Sequence, residues 1–380
     1  MSNRYFYIDP ESYANLSAYD YNLLSNIDAD IVYFCSTLYD YKPIGAHVTS
    51  IPIFSYNKKK NNLQKGLSYI KSYLKIFFFI LRMKPEAIHI QWLRLQTFDL
   101  CFYQIVSWLT HTRLILTAHN VLPLDTGTRY VKLYRLIYPL MDRIITHSKN
   151  SRRELLELFD LPPEKVIVIP HGLLKVNVDT EKLKNETGDF QRLYPLHNRL
   201  VFSSLGFQTT YKGADLLAKV WATTPELNQN PGCLLIIAGK CLNVDFSSLQ
   251  VYENVVLQNR RISNEELYYL LTHTDVYLLP YRQISQSGAM LTAITEKIPL
   301  LVTNIGGLTE PLAISRIGWS IDPENEQQLR EMLIYLVNHP DEIASIKRDQ
   351  EGWDRVQKYY GWEQIGKLTL QVYRNNDTTL

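Results

Sequence analysis

Cysteine is scarce. Cys35, Cys101, Cys233 and Cys241 are the only four in 380 residues, and none form a Cys-x-x-Cys pair. They fall in or near apolar runs, as reduced, buried thiols do, which argues against a disulfide framework and for a reducing compartment. No run of about 18 apolar residues occurs, so no transmembrane helix is expected. The amino terminus passes directly into Tyr5-Phe6-Tyr7-Ile8, a strand pattern with no signal-peptide character. Neither sign of charge is in excess: 40 Lys and Arg against 38 Asp and Glu leave a net charge of +2. That balance excludes a field able to draw nucleic acid to the whole surface. No His/Cys cluster has ligand spacing, so no metal is implied. Low-complexity segments and short-period repeats are also missing.

What is present is a chain long enough for two domains, with 46% hydrophobic and 21% charged residues, as in a well-cored globular protein. Tyrosine is abundant at 26 residues; most of them are expected to fill cores, with sugar- or membrane-facing surfaces as the other use. Strand patterns at Tyr5–Ile8, Ile31–Cys35, His47–Ile53, Ala87–Gln91, Arg113–Ala118, Arg143–His147 and Val166–Ile169 are interspersed with helical ones. The polar stretch Lys175–Asn198 reads as a connector, and a second alternating block follows from Leu200. Such alternation predicts an α/β protein of two doubly wound, Rossmann-like domains, whose ligands bind at the carboxyl ends of the strands. The expected division is residues 1–172 and 199–359, with 173–198 between them.

The segment from Pro280 to Glu310 is the most informative. After the apolar Val276–Leu279 come a polar turn, then Ser287-Gly288 at the start of a helical pattern, then the strand Pro299–Val302 and Asn304-Ile305-Gly306-Gly307. A helix start beside a small residue offers free N–H groups and the positive end of a dipole, which suits phosphate. A second such place follows Leu200–Leu205: Gly206 ends the strand, and Lys212-Gly213 precedes a helix. A lysine there sets a full charge beside the helix dipole, and the glycine lets a ligand approach the backbone, so a diphosphate fits.

The ordered set Gly206-x5-Lys212-Gly213, Pro280-Tyr281-Arg282-x4-Ser287-Gly288, Pro299 and Gly306-Gly307-Leu308-x-Glu310 resembles the donor domain of retaining GT-B glycosyltransferases. It is most similar to the GT4-type family of bacterial polysaccharide synthesis, in a Ser-Gly variant. Leu116-Thr117-Ala118-His119-Asn120, Thr146-His147-Ser148 and Pro170-His171-Gly172 match the amino-terminal half, and Tyr360-Gly361-Trp362-Glu363 matches the segment returning to the first domain. The resemblance implies an acceptor-binding first domain, completed by a returning helix in 360–380, and a second domain for the nucleotide-sugar. It implies that Lys212 and the N–H groups of Ser287 and Gly288 bind the donor diphosphate, that His119 contacts the transferred sugar, and that Glu310 shapes the nucleotide pocket. Arg282 is added from its position before the phosphate loop, with a structural surface role as the alternative. The donor is a substrate, UDP- or GDP-linked, and no cofactor is implied. The reaction implied is retaining, metal-independent transfer to a hydroxyl of a growing, lipid-linked bacterial glycan, with the departing phosphate taking the proton.

Three departures stand out. The family's two Glu residues across this loop and helix are absent, with Ser285, Gln286, Ser287, Thr292 and Ala293 in the region. Phe207, Gln208 and Thr209 stand where an Arg is common, and Asp9-Pro10-Glu11-Ser12 replaces the amino-terminal Gly-rich loop. A catalytically silent subunit that binds glycan or a partner transferase, or a nucleotide-sugar epimerase, are the alternatives.

Asn57 to Pro85 stands apart. Lys58-Lys59-Lys60 leads into a helix with Leu63, Leu67, Ile70, Leu74, Phe77, Phe78 and Leu81 on one stripe and Tyr69, Tyr73, Ile76 and Ile80 widening it. Lys65, Lys71, Lys75 and Arg82 share the remaining surface. This basic, over-apolar helix reads as interfacial, attracted to anionic lipid. It predicts a cytoplasmic protein, peripheral on the inner face of the plasma membrane.

Overall fold

The computed structural model describes residues 4–13, 16–41, 44–55, 61–123 and 129–375. The chain divides into two compact units, one of residues 1–172 with 360–380, the other of residues 173–359.

The first unit begins with β1 (Arg4–Ile8), α1 (Ser17–Leu24), β2 (Asp30–Ser36), β3 (Val48–Phe54) and α2 (Asn62–Met83). It continues with β4 (Ala87–Ile90), α3 (Gln96–Thr110), β5 (Arg113–Ala118), α4 (Val131–Leu140), β6 (Arg143–Thr146), α5 (Lys149–Phe159) and β7 (Val166–Val168). Its seven strands form one sheet in the order β3-β2-β1-β4-β5-β6-β7, and every pairing is parallel. A parallel sheet is covered on both faces, and its strands are correspondingly apolar throughout. One face packs α2 to α5 through residues such as Tyr73, Phe102, Tyr138 and Leu155.

The second unit opens with α6 (Thr180–Leu193), β8 (Leu200–Leu205), the two-residue β9 (Gln208–Thr209), α7 (Ala214–Ala222), α8 (Pro225–Asn228), β10 (Cys233–Ala238) and β11 (Cys241–Leu242). Then come β12 (Val255–Gln258), α9 (Asn264–Thr272), β13 (Val276–Leu279), α10 (Gly288–Thr295), β14 (Leu300–Thr303), α11 (Glu310–Ile314) and β15 (Gly318–Ile321). The helices α12 (Glu326–Asn338), α13 (Pro340–Arg348) and α14 (Gln350–Tyr359) complete it. Its main sheet runs β12-β10-β8-β13-β14-β15, again parallel. Fully buried Trp221 and Trp353 anchor helices of this unit; burying an aromatic side chain contributes about 1.5–3 kcal/mol.

The last helix, α15 (Trp362–Tyr373), belongs to the first unit. It lies in a second apolar cluster with α1 and the face of the sheet opposite α2. A Cβ at Gly366 would sit 2.1 Å from the Asn26 carbonyl oxygen, so glycine is what lets α15 approach the end of α1.

Two local features differ from the sequence reading. Residues 180–193 of the expected connector form α6, a helix of the second unit rather than a linker. Its start is capped by Asp179, whose side chain accepts from the N–H groups of Glu181 and Lys182. It docks on α9 by the Lys182–Glu265 ion pair at 3.0 Å, the Phe190–Tyr269 ring contact, and, just past its end, Tyr194 donating to Glu266 at 2.5 Å. The few apolar residues of α6 hid it from a periodicity argument, because polar side chains make much of the contact. Cys101 is exposed on α3 rather than buried, while Cys35 and Cys233 are buried and all four thiols are free.

Gly366→Val should force α15 off α1. Urea unfolding is expected to show a loss of about 1–3 kcal/mol, as for overpacked interiors; an unchanged midpoint would remove the close approach from the account.

Candidate functional site

In the second unit the strand order reverses between β8 and β13, and parallel sheets bind ligands in the crevice at such a reversal. The loops after these two strands are locked together. Gly206 (φ +95°) follows β8, and the Gln208 amide donates to the carbonyls of Ser204 and Gly206, both at 3.0 Å. At Gly213 (φ +69°) a Cβ would lie 1.8 Å from the Pro280 carbonyl oxygen, so the β8 loop can rest on the β13 loop only with glycine there.

Lys212 extends over this junction. Its Nζ lies 4.0 Å from where a Gly206 Cβ would be and 5.7 Å from the centroid of the Tyr281 ring. Burial lowers its pKa, and no carboxylate pairs with it among the described residues. Tyr281 is itself buried and hydrogen-bonded to Ser287. Ser287 caps α10 by accepting from the Met290 N–H at 3.2 Å. The N–H groups of Gly288 and Ala289, in the first turn, have no acceptor within the helix. The structure therefore gathers Gly206, Lys212, Gly213, Ser287 and Gly288 around one sheet edge, with an unpaired ammonium and a helix start, an arrangement that attracts a multiply charged anion.

Of the two roles weighed for Arg282, its contacts fit the structural one. It grips Asp215 in bidentate fashion at 2.5 and 2.9 Å, pairs with Glu324 at 2.9 Å, and also donates to the Thr210 carbonyl. Two carboxylates satisfy its charge, so it braces α7 and the β8 loop. Glu310 is the first residue of α11 and half-buried. The turn leading to it is pressed on the β13 loop, since a Cβ at Gly306 (φ +52°) would meet the Ile284 carbonyl oxygen at 2.1 Å. Lys71 and Lys75 lie on α2 of the first unit and are exposed; Lys58, Lys59 and Lys60 fall outside the described residues.

In the first unit the order reverses between β1 and β4. Here the strand ends from β4 to β7 carry a hydrogen-bonded row. Gln91 follows β4, His119 follows β5, His147 follows β6 and His171 comes three residues after β7. Parallel register makes them neighbours, since Ala118 pairs with Thr146 and Thr146 with Val168. Gln91 contacts His119 Nε2 at 2.9 Å, His119 Nδ1 contacts His147 Nε2 at 3.1 Å, and His147 Nδ1 contacts the Ile169 carbonyl at 2.9 Å. Behind them His89 bonds Tyr373 of α15 at 2.8 Å and Gln91 at 2.9 Å. The His119 ring stacks on Trp92 with centroids 4.5 Å apart, and Tyr19 of α1 touches His119, His147, His171 and Trp362.

The proton inventory follows from the one partner that can only accept. The Ile169 carbonyl requires a proton on His147 Nδ1, so neutral His147 accepts at Nε2 and His119 donates from Nδ1. Neutral His119 then accepts at Nε2, where the structure sets Gln91 Oε1, with the Gln91 NH2 toward His89 Nε2 and Thr117 Oγ1; the amide's two ends are interchangeable in shape, and turning it over supplies the donor. Keeping Oε1 on His119 adds a proton to a buried pair. Burial holds the pKa of His89 and His147 down at about 3 and that of His171 at about 4, and lowers His119 strongly, so the neutral inventory is the one the fold accepts.

Under the row lies a carboxyl pair that sequence reasoning did not single out. Asp9 and Asp20 are both buried, and burial raises both pKa values, that of Asp20 to about 6. Tyr7 and Tyr33 donate to Asp20 at 2.6 and 2.5 Å. Asp9 accepts from the Glu11 N–H at 2.6 Å, and its carbonyl accepts from Ser12 Oγ at 2.9 Å. These bonds shape the turn after β1 where a Gly-rich loop had been the comparison. The single Asp-x-Asp, Asp28-Ala29-Asp30, ends at the first residue of β2, on the edge opposite these sites. Among the described residues no group of three or more His, Cys, Asp or Glu could hold a metal ion.

Comparison with known proteins agrees with this architecture. The model of glycosyltransferase family 4 matches residues 25–173, and that of glycosyl transferases group 1 matches residues 189–352. The chain belongs to this GT-B glycosyltransferase family. It is 27% identical to glycogen synthase of Mycobacterium tuberculosis over 61% of its own length and 54% of that protein. It is 23% identical to the GPI3 subunit of phosphatidylinositol N-acetylglucosaminyltransferase of Saccharomyces cerevisiae, over 70% of this chain and 58% of that one. The chain thus spans little more than half the length of the curated relatives it matches. Sucrose-phosphate synthase from Thermosynechococcus elongatus superposes with a TM-score of 0.69 at 14% identity, over 98% of both chains. HepE of Anabaena, solved with UDP-glucose, gives 0.67 at 13% identity, over 98% of this chain and 99% of that one.

The histidine row makes stability depend on pH in a defined direction. The folded pKa of His89 is about 3 against an ordinary 6.5, so below pH 6.5 only the unfolded chain takes up that proton. Stability is therefore lost as pH falls through that window. Replacing His89 by Gln should shrink the stability gap between wild type and variant by about 1.4 kcal/mol per pH unit between about pH 6 and 4. A gap independent of pH in denaturant titrations would contradict the neutral assignment.

Proposed function

We propose that this protein transfers a sugar from a nucleoside diphosphate sugar, UDP- or GDP-linked, to a hydroxyl of a growing glycan, with retention of configuration and without a metal ion. The observation that carries this reading is Lys212, an ammonium with lowered pKa and no carboxylate partner among the described residues, joined through Tyr281 to the capped start of α10. A half-buried charge without a partner carries a desolvation cost that a bound anion would offset. The diphosphate would lie on Lys212 and on the N–H groups of Ser287 and Gly288, with Gly206 and Gly213 keeping the edge open. Glu310 would shape the nucleotide pocket. Arg282 would hold the loop that presents Lys212 rather than touch the donor. In support, HepE was solved with UDP-glucose, and the relatives' names describe a glycogen synthase and an N-acetylglucosaminyltransferase subunit.

The chemistry required is modest. The bond from the anomeric carbon to the diphosphate oxygen breaks through an oxocarbenium-like state, the acceptor oxygen bonds to the same carbon from the same face, and the diphosphate takes the acceptor's proton. Fixed cations and N–H dipoles stabilise the departing charge, each good donor being worth about 10²–10³ in rate. His119 would contact the transferred sugar by exchanging its bond to Gln91. The acceptor would be a lipid-linked intermediate of a bacterial surface glycan, reached on the inner face of the plasma membrane through the basic helix α2.

Nucleoside diphosphates should raise the melting temperature of the wild type. Lys212→Ala should abolish that shift and lower turnover by about 10²-fold or more. Undiminished turnover in this variant would sink the diphosphate assignment. No turnover with any nucleotide-sugar would favour a catalytically silent subunit. An inverted anomeric proton coupling in the product NMR spectrum would reject retention.

A further inference from the structure

On the sheet face that carries α2 and α3, the structure separates what the sequence combined. In α2 the row Tyr69, Tyr73, Ile76 and Ile80 is buried on the sheet. The other row stays outside: Leu67 is 52% exposed, Leu74 61% and Phe78 62%. Four apolar side chains at spacings of seven, four and three (Leu67, Leu74, Phe78, Leu81) form a stripe along one flank of the helix, and Lys71, Lys75 and Arg82 follow on the adjoining flank.

The partner of that stripe is on α3. Phe77 and Tyr73 meet Phe102 at ring distances of 6.1 and 4.8 Å, so the two helices lie side by side. One and two turns beyond Phe102, Ile105 is 50% exposed, Trp108 77% and Leu109 48%. The exposed row of α3 has no charge at all: Cys101, Gln104, Ile105, Trp108 and Leu109. The only acid on α2, α3 or α4 is Asp99, which is buried and accepts from Tyr69 at 2.9 Å. The bases on these helices, including Lys132 and Arg135 of α4, are exposed.

We propose that α2 and α3 together form one docking face for an anionic lipid surface, with Trp108, Ile105 and Phe78 entering the interface and the α2 bases lying on the headgroups. Charge complementarity selects this occupant. A face whose helices carry many bases and, among the described residues, no exposed acid repels a second copy of itself, whereas anionic headgroups neutralise it while the apolar stripe enters the lipid. Tryptophan beside bases is the combination that sits at a membrane boundary. This sharpens the membrane contact in the proposed function, adds α3 as its apolar half, and does not depend on the donor or acceptor.

The test is flotation of the full chain with phosphatidylcholine vesicles, with and without a third phosphatidylglycerol. Binding is expected only to the anionic vesicles and should fall as salt is raised. Trp108→Ser and the pair Lys71→Glu with Lys75→Glu should each weaken it by about tenfold or more; these side chains are exposed, and an unchanged melting curve will verify folding. Lys212→Ala should float like wild type, which keeps this outcome separate from the donor site. Failure to bind anionic vesicles, or equal binding by Trp108→Ser, overturns the proposal. So does a dimer in light scattering that Trp108→Ser dissociates, since a second copy would then cover the face.

Discussion

Parallel strands all leave their sheet at the same edge, and that constraint underlies both candidate sites. In the first unit it turns residues 28 positions apart, Gln91, His119 and His147, into hydrogen-bonded neighbours. In the second it brings the loops after β8 and β13 together at the strand-order reversal, so that Lys212, Tyr281 and Ser287 meet although 75 residues separate the first from the last. The sheets are filled with apolar side chains on both faces, and the carboxyl edge is where polar groups can converge on a ligand.

The two edges treat charge in opposite ways. In the first unit, burial keeps four histidines neutral, and a row of hydrogen bonds ending on the Ile169 carbonyl orients His119 and His147. At the β8 and β13 edge of the second unit the Lys212 ammonium has no carboxylate partner among the described residues, while the neighbouring guanidinium of Arg282 takes two carboxylates. The difference between Lys212 and Arg282 is informative because both are bases on adjoining loops. Arg282 is completed by Asp215 and Glu324, whereas no carboxylate pairs with Lys212 among the described residues.

The two doubly wound units, most strands and the residues that meet at the β8 and β13 edge were legible in the sequence, because alternating apolar runs and Gly- or Ser-marked helix starts are local signals. Residues 180–193 were not, since α6 docks largely through Asp179, Lys182 and Tyr194 rather than an apolar stripe. Nor was the buried Asp9–Asp20 pair, whose turn does with carboxyl hydrogen bonds what glycine does elsewhere. Tyr19 and Trp92, which pack on His119, carry no motif and could be found only in three dimensions.

By itself the sequence determined the succession of strands, the glycines that permit the tight β8 and β13 loops, and the family to which they belong, since each depends on residues close together in the chain. The tertiary structure decided which charged side chains pair, which face of α2 is buried, and which histidines share hydrogen bonds. Those properties depend on neighbours that parallel register and packing bring from distant segments, and no local pattern specifies them.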